Sequence, residues 1–213
     1  MWNWSENKIK LVLVRHGATK ANKEQRYLGK TEEALSEEGM EILQRTKADK
    51  YYPCIDYLFS SPMKRCQETA AILYPEHKAV MIPEWEEMDF GVFEGKNYQE
   101  LQGDKRYQEW IDSNGTLPFP EGESREVFVK RCERGFYRML TLLAERVEEK
   151  RDITVGLIVH GGTIMALLSN FFGGEYFDYQ VANGNGYCCE IVWCNGRVRL
   201  DGVSYITKTC WKK

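Results

Sequence analysis

The sequence has little histidine, little proline and no long apolar run. Three histidines, His16, His77 and His160, are too few to build a metal centre without paired cysteines, so neither metal nor cofactor is expected. No stretch approaches the roughly 18 apolar residues a bilayer span needs, so no membrane partner is expected. The polar opening ten residues lack the apolar core of a secretory signal. The seven cysteines are odd in number, without repeated spacing and with one adjacent pair, Cys188-Cys189. That pattern reads as reduced thiols of the cytoplasm rather than a disulfide framework. There is no basic run either, and the net charge is -3, which argues against nucleic acid. Any anion must be held by a local cluster.

The 213 residues suit one domain over 1–213, with no repeat, linker or low-complexity tract. Two near-continuous apolar runs, 8–14 and 153–159, predict strands buried on both faces. Short strands are expected at 56–60 and 79–82, and a hairpin of 187–193 and 198–205 turning at Asn195-Gly196. Helices are expected at 35–47 capped by Ser36, 63–73, 98–113, 124–149 and 163–172. Alternating strands and helices predict an α/β fold, a three-layer α/β/α sandwich around a mostly parallel sheet. In such sheets, sites form at the carboxyl ends of strands.

Both long strands end at a histidine followed by glycine, His16-Gly17 and His160-Gly161. Either histidine alone would read as a strand-end cap; two in the same context read as a site, if the strands are neighbours. The glycines would let backbone N–H groups approach a ligand. Arg15 precedes His16, and Arg65 opens the helix after the 56–60 strand. Guanidinium groups match phosphate oxygens bidentately, so this cationic cluster asks for a small, multiply charged anion. His77, in a polar stretch, reads as a solvated surface residue.

These elements lie in blocks. Leu13-Val14-Arg15-His16-Gly17-Ala18-Thr19-Lys20-Ala21-Asn22 comes first, then Gly29 and Leu35-Ser36-Glu37-Glu38-Gly39. Ser60-Ser61-Pro62-Met63-Lys64-Arg65-Cys66-Gln67-Glu68-Thr69-Ala70 and Glu87-Met88-Asp89-Phe90-Gly91 follow. Pro120-Glu121-Gly122-Glu123-Ser124, with Arg131 beyond it, and Val159-His160-Gly161-Gly162 complete the set. In this order the chain resembles the histidine phosphatase superfamily, also called phosphoglycerate mutase-like. The resemblance implies that His16 is a covalent phosphoryl acceptor and that Arg15, Arg65 and His160 hold the phosphoryl oxygens. Asn22 would add a hydrogen bond. Spacing alone does not choose among Glu84, Glu86, Glu87, Asp89 and Glu94 as proton donor; the resemblance picks Glu87, its pKa raised by burial beside Trp85 and Phe90. The chain departs from the family pattern at Ala18, Glu32 and Glu121.

Rival readings carry less. Cys132 and Arg138 have the spacing of a cysteine phosphatase loop but fall within an amphipathic helix. Gly29-Lys30-Thr31 lacks the first glycine and the strand of a nucleotide loop. A non-catalytic phosphate-binding module should have lost part of the set that is intact here. The reading is therefore a phosphomonoesterase acting on a small-molecule phosphate ester. The alternative is a cofactor-dependent phosphoglycerate mutase, which the short 96–122 segment disfavours. Within the family the chain also resembles the α-ribazole phosphatase branch. Trp85, Phe93, Tyr98, Trp110 and Phe119 could line a leaving-group pocket or simply pack the core. Nothing in the pattern specifies an oligomer.

Overall fold

The computed structural model describes residues 8–49, 51–147, 152–194 and 196–207. The first apolar run forms β1, Ile9–Arg15, and the later strands are β2, Tyr57–Ser60, β3, Val80–Met81, β4, Ile153–Val159, β5, Gly186–Cys194, and β6, Arg197–Tyr205. They make one sheet in the order β3-β2-β4-β1-β5-β6. The four strands β3, β2, β4 and β1 run parallel, and the β5–β6 hairpin adds two antiparallel strands at the β1 edge. The hairpin is present where expected, although Asn195 lies outside the described residues.

Alternation along β1 divides the core into two. Leu11 and Leu13 face one apolar cluster with Phe128, Phe136 and Met139 of α5, Arg125–Ala144, and Leu167 and Leu168 of α6, Gly161–Phe171. Val12 and Val14 face the other cluster, with Leu43 of α2, Glu37–Ala48, and Cys66 and Leu73 of α3, Lys64–Leu73. Helices therefore cover both faces, and the middles of the central strands β1 and β4 are buried on both sides. Two short helices complete the chain: α1, Lys20–Lys23, and α4, Lys105–Asp112. Among the described residues, no helix is long and apolar enough to cross a membrane.

Helix starts follow local chemistry. The Ser36 hydroxyl accepts the Gly39 N–H, as its position predicted. The expected helix at 98–113 is only its second half. Gly103 sits at φ +91°, and the Asp104 carboxylate caps the chain by accepting the Arg106 N–H. The helix expected at 124–149 stops at Ala144, and 148–151 lie outside the described residues. His77 is half-buried rather than solvated, edge-on to the Tyr74 ring.

The three departures from the family pattern have structural accounts. Ala18 contributes only its backbone, its carbonyl accepting from both the Ser36 N–H and hydroxyl. Glu32 accepts the Lys64 N–H and caps α3, whose own N-cap Met63 makes no side-chain bond. Glu121 holds φ +59° where glycine would be unstrained. Relief of a left-handed backbone, about 1–2 kcal/mol, should outweigh the extra freedom of an unfolded glycine, about 0.5–1 kcal/mol. Glu121→Gly is expected to raise Tm by about 1–3 °C in a thermal melt while Glu121→Ala does not. Equal melts for the two variants would remove strain as the explanation.

Candidate active site

Parallel register builds the site. Arg15 pairs with Val159 across β1 and β4, and the His16 N–H donates to the Val159 carbonyl at 2.9 Å. His16 and His160 therefore leave the sheet side by side, with ring centroids 5.2 Å apart at 68°. Both are buried. The His16 Nδ1–H donates to the Gly17 carbonyl at 2.7 Å, which fixes that tautomer and leaves Nε2 with its lone pair free. Burial first, then Arg65 and Arg15, pushes the His16 pKa well below its ordinary value, so the ring is neutral. His160 is lowered likewise by burial, then by Arg65 and His16. Its Nε2 shares a 2.8 Å hydrogen bond with the Ser61 hydroxyl, whose oxygen also accepts the Met63 N–H.

Two arginines stand beside the imidazoles with spare donors. Arg65 is fully buried, donating to the carbonyls of Thr31 at 3.0 Å and Gly29 at 2.8 Å. The Glu94 carboxylate holds that loop from behind by accepting the Gly29 and Thr31 N–H groups. Arg15 donates to the Val181 carbonyl at 2.6 Å. Each arginine keeps a buried Nε without a partner. An unmatched buried donor on a cation is costly, and a phosphoryl group would satisfy it.

Glu87 faces this cluster from the acid loop. Its carboxylate accepts the N–H groups of Met88 and Gly162, so it touches the first turn of α6 beside His160. Burial raises its pKa, against the lowering pull of those bonds and of Arg65 and Arg15. A side chain at 162 would meet the Glu87 carboxylate at 2.5 Å, so glycine there lets the acid approach. Arg131 holds the loop by donating to the carbonyls of Glu84, Glu86 and Glu87 while paired to Glu123. Of the five acids, Glu87 alone belongs to the buried polar set. Glu84 and Asp89 pair with Arg138 and Lys30, and Glu94 supports the Arg65 loop.

One sequence expectation changes. The Gly17 N–H does not face a ligand: it donates to the Thr69 hydroxyl at 3.0 Å. Glycine is needed there because a Cβ would sit 2.6 Å from Leu43, and its carbonyl orients His16. Asn22 is partly engaged, its Oδ1 accepting from the Thr19 N–H and from Asn183 Nδ2. Only its own amide N–H groups remain for a ligand. Gly161 stands at the α6 N-terminus against Arg15, as the strand-end reading placed it.

Arg15 and Glu87 of this cluster border a cavity of about 560 Å³. Arg15, Glu87, Gly161 and Gly162 form its inner end, and Tyr27, Phe90, Trp110, Phe119, Tyr176 and Phe177 form an aromatic wall. Trp110 and Phe119, anticipated as lining or core, do line it, stacked at 4.7 Å. Trp85 and Phe93 are instead fully buried in the core, Trp85 Nε1 donating to the Cys132 carbonyl, and Tyr98 is exposed. Tyr27, Tyr176 and Phe177 come from distant segments, and no local pattern marks them.

Comparison with known proteins agrees with this geometry. Residues 11–205 match the family model of the histidine phosphatase superfamily (branch 1). The chain is 29% identical to the adenosylcobalamin/alpha-ribazole phosphatase of Salmonella typhimurium, over 96% of this chain and 99% of that one. It is 27% identical to a 2,3-bisphosphoglycerate-dependent phosphoglycerate mutase of Bifidobacterium longum, over 75% of each. Its fold matches the crystal structure of a putative alpha-ribazole-5'-P phosphatase from Escherichia coli, with TM-score 0.75 at 24% identity, over 92% of this chain and 95% of that one. With the paired histidines, the arginines and the buried acid at one sheet end, the chain belongs to branch 1 of the histidine phosphatase superfamily and is a histidine-dependent phosphatase.

Proposed function

We propose that the chain hydrolyses phosphomonoesters with an extended, flat leaving group, α-ribazole 5′-phosphate being the leading candidate, through a phosphohistidine on His16. The observation that carries this is that Arg15 and Glu87, the neighbours of the His16–His160 pair, line the same cavity as the aromatic wall. In the first step His16 Nε2 attacks phosphorus and the P–O bond to the alcohol breaks, while Glu87 gives its proton to the leaving oxygen. Arg15, Arg65 and His160 hold the transferring oxygens, with Asn22 adding an N–H donor. In the second step water gives a proton to the Glu87 carboxylate and attacks phosphorus. The P–N bond breaks, and inorganic phosphate and neutral His16 are restored. We place the reaction in the cytoplasm, a reading supported by six free cysteines among the described residues.

Hydrolase and mutase share the first step and differ in who accepts the phosphoryl group. A mutase must shield the intermediate from water. Here the 96–122 segment contributes the short helix α4 and the wall residues Trp110, Gly115 and Phe119, which leaves little chain for a lid. A phosphomonoester panel is the test. The expected result is steady phosphate release, with kcat/KM for α-ribazole 5′-phosphate roughly tenfold or more above small sugar phosphates, as base–aromatic contact allows. Conversion of 3-phosphoglycerate to 2-phosphoglycerate should be negligible even with 2,3-bisphosphoglycerate present. Rapid interconversion would overturn the hydrolase reading.

Because side-chain cations surround the phosphoryl position, turnover should survive exhaustive chelation. Vanadate, which can adopt the five-coordinate geometry of the transition state, should inhibit strongly. Loss of activity with chelator and its return on adding metal would contradict this.

A further inference from the structure

The cavity has three charged side chains in its lining: Arg15 and Glu87 at the phosphoryl end, and Arg125. Arg125 is the first residue of α5, next to its N-cap Ser124. A cation there faces the positive end of the helix dipole, an unfavourable placement. The neighbouring acids do not compensate, since Glu123 pairs with Arg131 and Glu126 with Lys130. Among the described residues, the contacts shown for Arg125 are a hydrogen bond to the Asn114 carbonyl and two ring contacts. Its guanidinium carbon lies 5.2 Å from the Tyr176 ring centroid and 4.9 Å from that of Phe177. Those contacts aim the group without neutralising it.

We infer that Arg125 is a specificity residue that binds a second anionic group, a carboxylate or phosphate, carried on the leaving portion of the substrate. This rests on the cavity being the seat of the leaving group. Arg15 and Arg65 serve the transferred phosphoryl group, so Arg125, which lines the cavity with Arg15, is left for the leaving portion. A guanidinium presents several donors in one plane, and one bond to the Asn114 carbonyl leaves the rest for a carboxylate or phosphate. Among flat phosphomonoesters, those with a second acid at the far end should then gain over otherwise matched substrates without one. A bare nucleoside-like monophosphate would use only part of the site.

The experiment compares kcat/KM within two matched pairs. One pair is phenyl phosphate and 4-carboxyphenyl phosphate; the other is adenosine 5′-monophosphate and adenosine 3′,5′-bisphosphate, scored for loss of the 5′ phosphate. Wild type should favour the extra anion in at least one pair by roughly tenfold, the scale of one charge-assisted hydrogen bond. Arg125→Gln should abolish that preference while leaving phenyl phosphate within about twofold, and Arg125→Lys should retain part of it. No preference in wild type, or one that survives Arg125→Gln, would overturn the inference. So would a parallel loss on both members of each pair, which would assign Arg125 to bracing the aromatic wall. Failure of wild type to hydrolyse any of the four would strike the phosphatase reading instead, so the two failures are separable.

Discussion

His16→Ala is expected to lower kcat by about 10⁴ or more, because it removes the atom that forms the bond to phosphorus. No other group can take its place. His160 Nε2 is engaged with Ser61, and Cys66, 3.6 Å from that nitrogen, is a buried thiol whose pKa burial pushes far up. Rapid-quench labelling of wild type should trap phosphate that is acid-labile and base-stable, as a phosphoramidate is, and His16→Ala should trap none. The ring is buried, so the variant's melt must be measured beside its activity. A normal melt with lost turnover isolates the chemistry. Label on a cysteine, or undiminished turnover by a folded His16→Ala, would sink the mechanism.

Glu87→Gln should divide substrates by leaving group. An alkyl alcohol leaves poorly without a proton, so loss on an alkyl phosphate should reach roughly 10²–10⁴, the usual worth of a positioned general acid. An activated aryl phosphate needs no such help in the first step and should lose much less. The pH profile gives an independent sign. His16 must be neutral, and its lowered pKa moves the acid limb of kcat/KM below the ordinary histidine value. Glu87 must be protonated in the first step, and its raised pKa moves the alkaline limb above the ordinary carboxylate value. Both shifts widen the active window, and Glu87→Gln should remove the alkaline limb for alkyl substrates. A uniform loss across leaving groups with an unchanged profile would assign Glu87 to binding or folding.

The sequence made some parts of this site plain because their signal is local. An apolar run that stops at Arg15-His16 and another that stops at His160 mark two buried strand ends, and parallel pairing does the rest. Ser36 as a cap and the 187–205 hairpin are equally local. Beyond Trp110 and Phe119, the aromatic wall was illegible because its members are joined only by folding: Tyr27 follows α1, and Tyr176 and Phe177 follow α6. For Trp85 and Phe93 the sequence left lining and core open, since composition does not say which side of a loop faces the core, and the fold puts both in the core. The Gly17 N–H pointed the wrong way because its partner, Thr69, stands on a separate helix. Arg131 lay within a recognised block, but its bonds to three acid-loop carbonyls exist only once α5 has docked.

The placement of β1 between β4 and β5 also bears on how the molecule comes into being. Among the described residues β1 is the earliest strand to be synthesised, while both of its sheet neighbours, β4 and β5, follow more than 130 residues later. Until they arrive, an apolar ribbon with two open hydrogen-bonding edges must wait, and such ribbons invite pairing with other chains. Closing so large a loop is a late, entropically expensive event. The His16–His160 pair forms only with that closure, because His160 directly follows β4. Recovery of phosphatase activity during refolding is therefore expected to follow the joining of β1 with β4.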